Sequence, residues 1–484
     1  MSDQAKLSDL LLAACSAFGV ANACEDAHET TSYAALSIRA RAIADDLHRA
    51  GMRAGEPILV PVSNQGSDIA TFTGIWQAGG VAVPVHRSTP TAALELTRAR
   101  TKARLLADAS AELPVRQIGE AVPPAREILA GAAFVIFTSG STGKPKGVVL
   151  SHRAFIGKLH AIDSLLRFSK WTRSLLVLQI TFSFGIWVSL LTLMKGGVLL
   201  MHPRFDGEAT LNALASQGAT DAAFVPTMLR QFLGLDRRIV PSFDKSGLHR
   251  IITGGEPLGL ELSQQISVFF PNTDIADVYG LTETCTSDFI LMPDEQRLYR
   301  GCIGRPTPGV SFRIADDQGH DVSINETGEL QIHTPFAMNG YLDQPKLTQA
   351  AFCGKFLRTG DLARLRPDGM VELVGRSKEL ITRGGTKVSP LELDELLASH
   401  PAVAAVLTVG IPDPVMGERI HVLIVPREHQ KLEEAALRRW VSERVEKFKR
   451  PDVYHFSSSL PTGRTGKVDR GALREQIGRA ADSA

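Results

Sequence analysis

The sequence predicts an α/β protein with a large N-terminal domain and a small, mobile α+β C-terminal domain. The large domain is expected to contain parallel sheets with helices and a later β-rich segment. Two observations carry this prediction. Short apolar, β-branched runs alternate with helix-like segments between residues 31 and 278, an order typical of parallel sheets covered on both faces. The chain of 484 residues is also long enough for several cores.

The elements follow from hydrophobic periodicity, taken in order along the chain. Helices are predicted at 38–50, 69–77, 391–399 and 432–445. Strands are predicted at 58–62, 78–85, 132–136, 147–150, 198–201, 222–226, 250–253, 274–278, 403–409 and 420–425. The β-rich segment is expected to include 328–332, 340–341 and 356–362.

Composition excludes several classes of protein. The net charge of +1 gives no reason to expect nucleic acid or an anionic membrane as a partner. Five scattered cysteines without a CxxC pair predict neither a disulfide framework nor a zinc site. The first residues lack the basic segment of a signal peptide, so we expect a cytoplasmic protein.

An uncharged run at residues 175–194 is about long enough to cross a bilayer. It contains Gln179, Ser183 and Gly185, which a buried strand, a turn and a core helix explain equally well. We expect this second arrangement and no integral membrane association.

A loop of glycine, hydroxyl residues and lysine separates the predicted strands 132–136 and 147–150. Glycine lets the backbone approach a ligand closely, and such loops bind phosphate oxygens. The Walker pattern is absent, because Lys144 is followed by Pro145 and a strand rather than by a helix. We therefore predict a polyphosphate loop inside a hairpin. Its candidate phosphate-binding residues are Thr138, Ser139, Gly140, Ser141, Thr142, Gly143, Lys144 and Lys146.

The segment FTSGSTGKPKGVVLSH at residues 137–152 resembles the signature loop of the acyl-adenylate-forming enzymes. That family comprises acyl- and aryl-CoA synthetases, amino-acid-activating adenylation domains and firefly luciferase. Further motifs extend the resemblance over nearly the whole chain. The resemblance implies an ATP- and acyl-binding domain at 1–375, a lid domain at 376–484 and a hinge at Lys378. It also implies ATP, Mg²⁺ and CoA as cofactors.

A Gly-Gly turn follows the predicted strand 250–253, at an end of a parallel sheet where ligands bind. The resemblance assigns this turn to the adenine and acyl pockets. The residues concerned are Gly254, Gly255, Glu256 and Pro257.

The motif at residues 277–284 follows the next strand and combines an aromatic ring, hydroxyls and carboxylates around Gly280. Tyr279 can stack on a purine, and Asp277 can accept a hydrogen bond from its amino group. Thr282 can donate to a phosphate, and Glu283 can bind Mg²⁺. The alternative for Glu283 is a helix-start carboxylate that interacts with the helix dipole.

Three charged residues near the domain boundary and in the tail gain roles from the resemblance. Asp361 would bind both ribose hydroxyls, although a turn aspartate is the simpler explanation. Arg376 would contact ribose and phosphate. Lys467, otherwise a solvated loop lysine, would offset the charge of an in-line displacement during adenylation. After rotation about the hinge, Gly384 and Gly385 would line a tunnel for the thiol.

The acyl pocket is predicted to include Phe182, Phe184, Trp187, Gly254 and Leu281, although the aromatic residues could equally be core. No acid lies in residues 181–185, so a free amino acid is disfavoured, because a buried amine needs a partner. An apolar or aromatic acyl group is expected.

The sequence thus predicts an AMP-forming enzyme that joins a carboxylic acid to CoA. A free-standing enzyme that loads the phosphopantetheine thiol of a carrier protein remains an alternative. A phosphate-loop ATP hydrolase and a nucleotide-binding regulator without catalysis are alternatives of other classes.

Overall fold

The structure, a computed structural model, describes residues 5–138, 145–235, 247–427, 432–463 and 466–482. The strands of these ranges are β1 (Asn22–Glu25), β2 (Thr30–Ser32), β3 (Pro57–Val62), β4 (Val81–His86), β5 (Leu105–Ala107), β6 (Val115–Gln117), β7 (Ala132–Thr138), β8 (Lys146–Ser151), β9 (Arg173–Leu176), β10 (Val198–Met201), β11 (Asp221–Phe224), β12 (Arg250–Gly254), β13 (Asp274–Tyr279), β14 (Phe289–Leu291), β15 (Arg305–Pro306), β16 (Ser311–Ala315), β17 (Thr327–His333), β18 (Gly340–Tyr341), β19 (Phe352–Cys353), β20 (Phe356–Leu365), β21 (Val371–Arg376), β22 (Ile381–Arg383), β23 (Thr386–Val388), β24 (Val403–Asp413), β25 (Gly417–Pro426) and β26 (Val453–Phe456).

The α-helices of the same ranges cover the sheets. They are α1 (Leu7–Phe18), α2 (Tyr33–Arg49), α3 (Gly66–Ala78), α4 (Thr91–Thr101), α5 (His152–Leu166), α6 (Ser183–Met194), α7 (Gly207–Ser216), α8 (Pro226–Leu233), α9 (Leu260–Phe269), α10 (Pro293–Gln296), α11 (Pro345–Ala350), α12 (Pro390–Ala398), α13 (Glu434–Ser442) and α14 (Arg470–Asp482). The predicted α/β class is confirmed.

The first sheet contains the predicted phosphate hairpin. Its strand order is β18-β8-β7-β4-β3-β5-β6. Strands β7 and β8 are antiparallel and pair Thr138 with Lys146, so the glycine-rich loop joins two adjacent strand ends, as predicted. Residues 340–341 form a strand, as expected for the β-rich segment, but this strand, β18, pairs with β8 of the first sheet.

The second sheet positions the two motifs at strand ends. Its order is β15-β14-β13-β12-β11-β9-β10-β1-β2, and β9 to β13 run parallel. Residue Gly254 pairs with Val278, so the carboxyl ends of β12 and β13 lie side by side. The motifs at 254–257 and 277–284 thus leave the same edge of the sheet.

The uncharged run at 175–194 contains the end of β9, a turn and the twelve residues of α6. Within the described ranges, no helix has both the length and the apolar character needed to span a membrane. The prediction of a strand, a turn and a core helix is confirmed here.

The remaining two sheets are antiparallel for most of their length. The β-rich sheet has the order β16-β17-β20-β19, with β21 on β20, and pairs Asp361 with Arg376. The last sheet has the order β23-β22-β25-β24, with β26 on β25. We call the part with the first three sheets the large domain and the part with the last sheet the small domain. The boundary at residues 375 and 376 stays a prediction.

Helix α2 begins five residues before its predicted start. The side chain of Ser32 accepts a hydrogen bond from the backbone N–H of Ala35, which caps the helix. A serine cap typically stabilises a helix by about 1 kcal/mol. The missed signal was the serine immediately before Tyr33.

Buried aromatic rings fix β7, which leads into the phosphate loop, against α3. The Trp76 ring lies edge-on to Phe134 with centroids 5.0 Å apart, and its Nε1 donates to the carbonyl of Ala133 at 2.9 Å. Burial of each such side chain contributes about 1.5–3 kcal/mol. The loop therefore starts from a rigid strand.

Candidate active site

The start of β8, at Lys146 of the phosphate hairpin, lies close to the Glu283 carboxylate. The Lys146 ammonium lies 5.0 Å from the ring centroid of Tyr341, whose hydroxyl donates to Oε1 of Glu283 at 2.8 Å. Six predicted loop residues lie outside the described residues: Ser139, Gly140, Ser141, Thr142, Gly143 and Lys144. The structure thus brings Lys146, from the end of the loop, together with the predicted metal ligand.

The turn between β13 and β14, residues 280–288, carries Thr282 and Glu283. A short 3₁₀ helix spans Thr282–Thr284, and Glu283 lies in its first turn, as the alternative explanation requires. The same carboxylate nevertheless faces Tyr341, and Thr282 Oγ1 lies 3.5 Å from Ser183 Oγ. The helix start and a metal-binding role are therefore compatible at this position.

The second half of this turn has an unusual backbone. Residues Cys285, Thr286 and Ser287 all have positive φ angles, of 57°, 70° and 47°. The left-handed conformation costs a non-glycine residue roughly 1–2 kcal/mol. Surrounding interactions must therefore stabilise the turn.

Asp361 accepts hydrogen bonds from two other predicted site residues. The Tyr279 hydroxyl donates to Oδ2 at 2.6 Å, and Arg376 Nε lies 2.8 Å from Oδ1. Asp361 is buried, whereas 59% of the Arg376 side chain is exposed. Each carboxylate oxygen has a second lone pair, so Asp361 could accept ribose hydroxyls, and the exposed guanidinium could reach a phosphate.

The Lys467 loop of the small domain contacts the Gly-Gly turn of the large domain. A Cβ atom on Gly255 would lie 2.6 Å from Nζ of Lys467, and Gly255 has a φ of +85°. The backbone N–H of Val468 donates to Oε1 of Glu256 at 2.7 Å. Glycine is therefore favoured at residue 255, because the positive φ strains other residues and a side chain there would displace the ammonium group of Lys467.

Glu256 is held from the large domain as well. The Thr227 hydroxyl donates to both of its oxygens at 2.9 Å, and Arg230 lies 3.6 Å away. Burial lowers the pKa of Lys467, and the negative charge of Glu256 opposes this shift. Glu256 thus orients the lysine loop and favours the charged lysine. Pro257 follows on the exposed side of the turn.

Asp277 is half-buried at the end of β13, and burial raises its pKa to about 8. At neutral pH the carboxyl group is therefore mostly protonated and can donate as well as accept. Above that pKa the ionised group offers acceptors only, and below it the neutral group can also donate. Its selectivity for adenine should then depend on pH.

We predict that the preference for ATP over GTP increases with pH. Ionised Asp277 accepts from the adenine amino group and repels the guanine carbonyl, whereas its neutral form can donate to that carbonyl. We expect at least roughly tenfold preference at about pH 9, or about 1.4 kcal/mol, and less at about pH 6. The ratio of kcat/KM values for the two nucleotides at both pH values measures this. In Asp277→Asn the ratio should not change with pH, and an unchanged wild-type ratio would remove Asp277 from the base site.

The predicted acyl-pocket residues differ in exposure. Phe182, Phe184 and Leu281 are half-buried, but Trp187 is fully buried and stacks on Phe184 with centroids 5.6 Å apart. Trp187 thus packs in the core behind Phe184, the alternative left open for these aromatic residues, and a role for it in the acyl pocket stays a prediction. A wall formed by Phe184 and Leu281 stays a prediction.

The glycines of the two strand-end motifs serve backbone packing. A Cβ atom on Gly280 would collide with the backbone of Thr286 and Ser287, and one on Gly254 would collide with the carbonyl of Val278. Side chains at these positions would not enter a pocket. A larger side chain at Gly280 or Gly254 would therefore displace backbone rather than fill a pocket, although the glycine backbone can still border the site.

The predicted thiol-tunnel residues lie on the small domain. Gly384 and Gly385 form the exposed turn between β22 and β23, and the N–H of Gly384 donates to the carbonyl of Met416. Lys378 lies in an exposed turn directly after β21. In this structure the lysine loop, rather than the glycine turn, contacts Gly255 and Glu256.

Several residues of the site were not predicted from the sequence. They are Ser183, Thr227, Arg230 and Tyr341, together with the buried pair of Lys158 and Asp288. Each contacts its partner across 26 or more residues, and no local pattern marks such pairs. Only the position of Ser183, next to the predicted pocket residue Phe182, was a usable signal.

Comparisons with known proteins agree with this geometry. Residues 12–342 match the family described as AMP-binding enzyme, and residues 392–467 match the AMP-binding enzyme C-terminal domain. A feruloyl-CoA synthase from Amycolatopsis is 29% identical, covering 92% of this chain and 94% of the relative. A fatty acid–acyl-carrier-protein ligase, ScoC, from Streptomyces coeruleorubidus is 27% identical, covering 93% of this chain and 92% of the relative.

A solved structure shares the fold over the full length. The anthranilate CoA ligase AuaEII in complex with anthranoyl-AMP has a TM-score of 0.87 and 22% identity, covering 100% of this chain and 99% of that one. The likeness shows a large N-terminal and a small C-terminal domain in the same arrangement of elements.

Proposed function

The chain belongs to the AMP-binding enzyme family, part of the acyl-adenylate-forming superfamily, and on this premise we propose that it is an ATP-dependent acid–thiol ligase. It activates a carboxylic acid as acyl-AMP and transfers the acyl group to a thiol, that of CoA. One observation carries the proposal: the Lys467 ammonium of the small domain lies against Gly255, directly after β12, and the neighbouring strand β13 ends at Tyr279, whose hydroxyl donates to Asp361 of β20.

The first step is an in-line displacement at the α-phosphate of ATP. A carboxylate oxygen forms a bond to phosphorus, and the bond to the bridging oxygen of pyrophosphate breaks. Positioning and electrostatic stabilisation carry such a step. Lys467 and Lys146 supply positive charge, Thr282 donates to a phosphate oxygen, and Asp361 and Arg376 hold the ribose.

Glu283 is a suitable ligand for Mg²⁺. Its Oε1 accepts from Tyr341, and no hydrogen bond to Oε2 is seen in the described ranges. These ranges contain no cluster of three or more acidic, histidine or cysteine side chains that could hold a metal alone. Mg²⁺ commonly binds through one or two carboxylates plus substrate phosphates. When bound, it neutralises charge on the phosphate oxygens.

We predict that Glu283→Gln slows adenylation about tenfold or more and moves the Mg²⁺ activation curve to higher concentration. The nucleotide should still bind, because Tyr279 and Asp361 are unchanged. Acid-dependent pyrophosphate release measured against Mg²⁺ concentration checks this, with the exposed Glu112→Gln as a matched control. An unshifted curve would mean that Glu283 only starts the 3₁₀ helix.

The second step forms a thioester. The thiol sulfur attacks the acyl carbon, the bond to the phosphate oxygen breaks, and AMP leaves. We propose that the small domain rotates about Lys378 between the steps, which withdraws Lys467 and brings Gly384 and Gly385 to the site. Hinge rotation of this kind is a known type of switch. The exposed glycine turn and the half-buried lysine in this structure support an arrangement suited to the first step.

The acyl group is proposed to be apolar or aromatic. Half-buried Phe184, stacked on Trp187, offers an aromatic surface near Thr282, and residues 181–185 contain no acid to pair an amino group. The name of the feruloyl-CoA synthase relative supports an aromatic acid. The phosphopantetheine thiol of a carrier protein is the second candidate acceptor, because one relative is named as a ligase for an acyl carrier protein.

A panel of substrates tests both the proposed acyl group and the proposed thiol acceptor. Pyrophosphate release with ATP is measured for aromatic, fatty and amino acids, first alone and then with CoA or a phosphopantetheinylated carrier protein. We expect release with aromatic acids and a thioester product with CoA. Thioester only on the carrier protein would favour the second candidate, and phosphate release without AMP would favour a hydrolase.

A further inference from the structure

We propose that the buried ion pair of Lys158 and Asp288 is a positioning element for adenylation, which holds the 280–288 turn, with Thr282 and Glu283, against the phosphate hairpin. The proposal rests on the proposed function for its kinetic consequences. Neither residue touches a substrate in this scheme, so both act through the turn.

The pair is almost completely shielded from water. The Lys158 ammonium lies 2.7 Å from Oδ1 of Asp288, with side-chain exposures of 1% and 0%. The ring of Phe336 covers the ammonium at 5.2 Å from its centroid. Removing one partner of such a pair leaves an uncompensated buried charge, which is strongly unfavourable. Opening of the pair in the folded enzyme would therefore leave a buried charge without its partner.

Asp288 connects the pair to the catalytic half of the turn. The Thr284 hydroxyl donates to Oδ2 of Asp288 and also to the carbonyl of Leu281 at 3.1 Å. Thr284 directly follows Glu283 in the 3₁₀ helix. A shift of the Asp288 carboxylate therefore moves the 3₁₀ helix that carries Thr282 and Glu283.

The left-handed backbone of residues 285–287 explains why the turn needs the ion pair to hold it in place. Residues 285–287 lie between the 3₁₀ helix and Asp288, all with positive φ. The N–H of Asp288 donates to the carbonyl of Tyr279 at 2.7 Å, and its own carbonyl accepts from Thr307. Strain of this type persists only where the surrounding structure holds it, and the ion pair is the charged part of that support.

Lys158 connects the same turn to the phosphate hairpin. It lies in α5, which begins at His152 directly after β8. Because β8 starts with Lys146, one rigid path runs from the phosphate loop through α5 to Asp288. The pair thus fixes the distance between the parts of the site that bind phosphate and metal.

A second buried ion pair gives a matched control. Arg104 Nε lies 2.9 Å from Glu56, with side-chain exposures of 7% and 1%. The two residues directly precede β5 and β3, at the amino edge of the first sheet, whereas the phosphate loop follows the carboxyl end of β7. If buried pairs only stabilise the fold, Lys158→Met and Arg104→Met should have similar effects. If the Lys158 pair positions the turn, only Lys158→Met should change the chemistry of adenylation.

The experiment compares the full-length wild type, Lys158→Met, Lys158→Arg and Arg104→Met. A misplacement of about 1 Å can cost about 10²-fold in rate. We expect Lys158→Met to lose about that factor in adenylation, to need more Mg²⁺, and to keep its rate of thioester formation from supplied acyl-AMP. Lys158→Arg should recover part of the loss, and Arg104→Met should keep wild-type Mg²⁺ dependence.

Two further measurements keep the proposal falsifiable. Lys158→Met/Asp288→Leu removes both charges, which is often tolerated by the fold, and should still lose adenylation. Hydrogen exchange of peptides covering residues 281–288 should be faster in Lys158→Met than in Arg104→Met, whether or not the acid substrate is known. A double variant with wild-type adenylation, or unchanged exchange in this turn, would overturn the proposal. Absent pyrophosphate release by the wild type with faster exchange in Lys158→Met would instead contradict only the proposed function.

Discussion

Lys467→Ala is expected to reduce adenylate formation by about 10²–10³-fold, the range seen when a preorganised group that stabilises transition-state charge is removed. The Lys467 ammonium lies against Gly255, and its loop is held by Glu256. Negative charge that develops on the phosphate oxygens would lose this partner. Thioester formation from supplied acyl-AMP should change by less than about threefold, or about 0.7 kcal/mol, since the lysine is withdrawn in that step.

Separate assays of the two half-reactions measure this difference. Pyrophosphate release reports the first, and CoA consumption with synthetic acyl-AMP reports the second. Lys170→Ala, an exposed lysine of the large domain, is the control and should match the wild type in both. Equal losses in both half-reactions would show that Lys467 is structural.

The second large effect is expected for Asp361→Ala, which should raise the KM for ATP about 100-fold. Hydrogen bonds to a charged group contribute about 1.5–3 kcal/mol each, and Asp361 is proposed to accept one from each ribose hydroxyl. The substitution also leaves the Tyr279 hydroxyl and the Arg376 guanidinium without their shared partner. Both losses weaken the nucleotide site.

Kinetics with varied ATP, and binding of ATP followed by calorimetry, measure the effect. Asp317→Ala, at an exposed turn of the same sheet, is the matched control. An Asp361→Ala enzyme with wild-type KM and lower thermal stability would mean that Asp361 only supports the β20–β21 pair.

Much of the fold was predictable because local patterns decide it. The apolar runs around the glycine-rich loop could form only a buried hairpin, and the structure pairs Thr138 with Lys146 as expected. The strand ends that carry Gly254 and Asp277 were also predictable, since alternating strands and helices imply a parallel sheet with its ligands at the carboxyl edge.

The rest depends on contacts between distant residues, which no local pattern encodes. The two residues of β18 show no periodicity that could identify a partner strand, so the pairing of β18 with β8 could not be predicted from the sequence. Lys158 and Asp288, which form the buried ion pair, are 130 residues apart in the sequence. The sequence could not decide whether Trp187 lines a cavity or the core, because an apolar helix has the same composition in both cases.

The central claim, that a carboxylate attacks the α-phosphate, has one direct test. The enzyme is incubated with ATP, CoA and a carboxylic acid labelled with heavy oxygen in its carboxyl group, and the AMP is analysed by mass spectrometry. The account predicts one labelled oxygen in each AMP, because the carboxylate oxygen bonded to phosphorus stays with AMP when the thiol attacks the acyl carbon. Unlabelled AMP, or ADP and phosphate as the products, would contradict it.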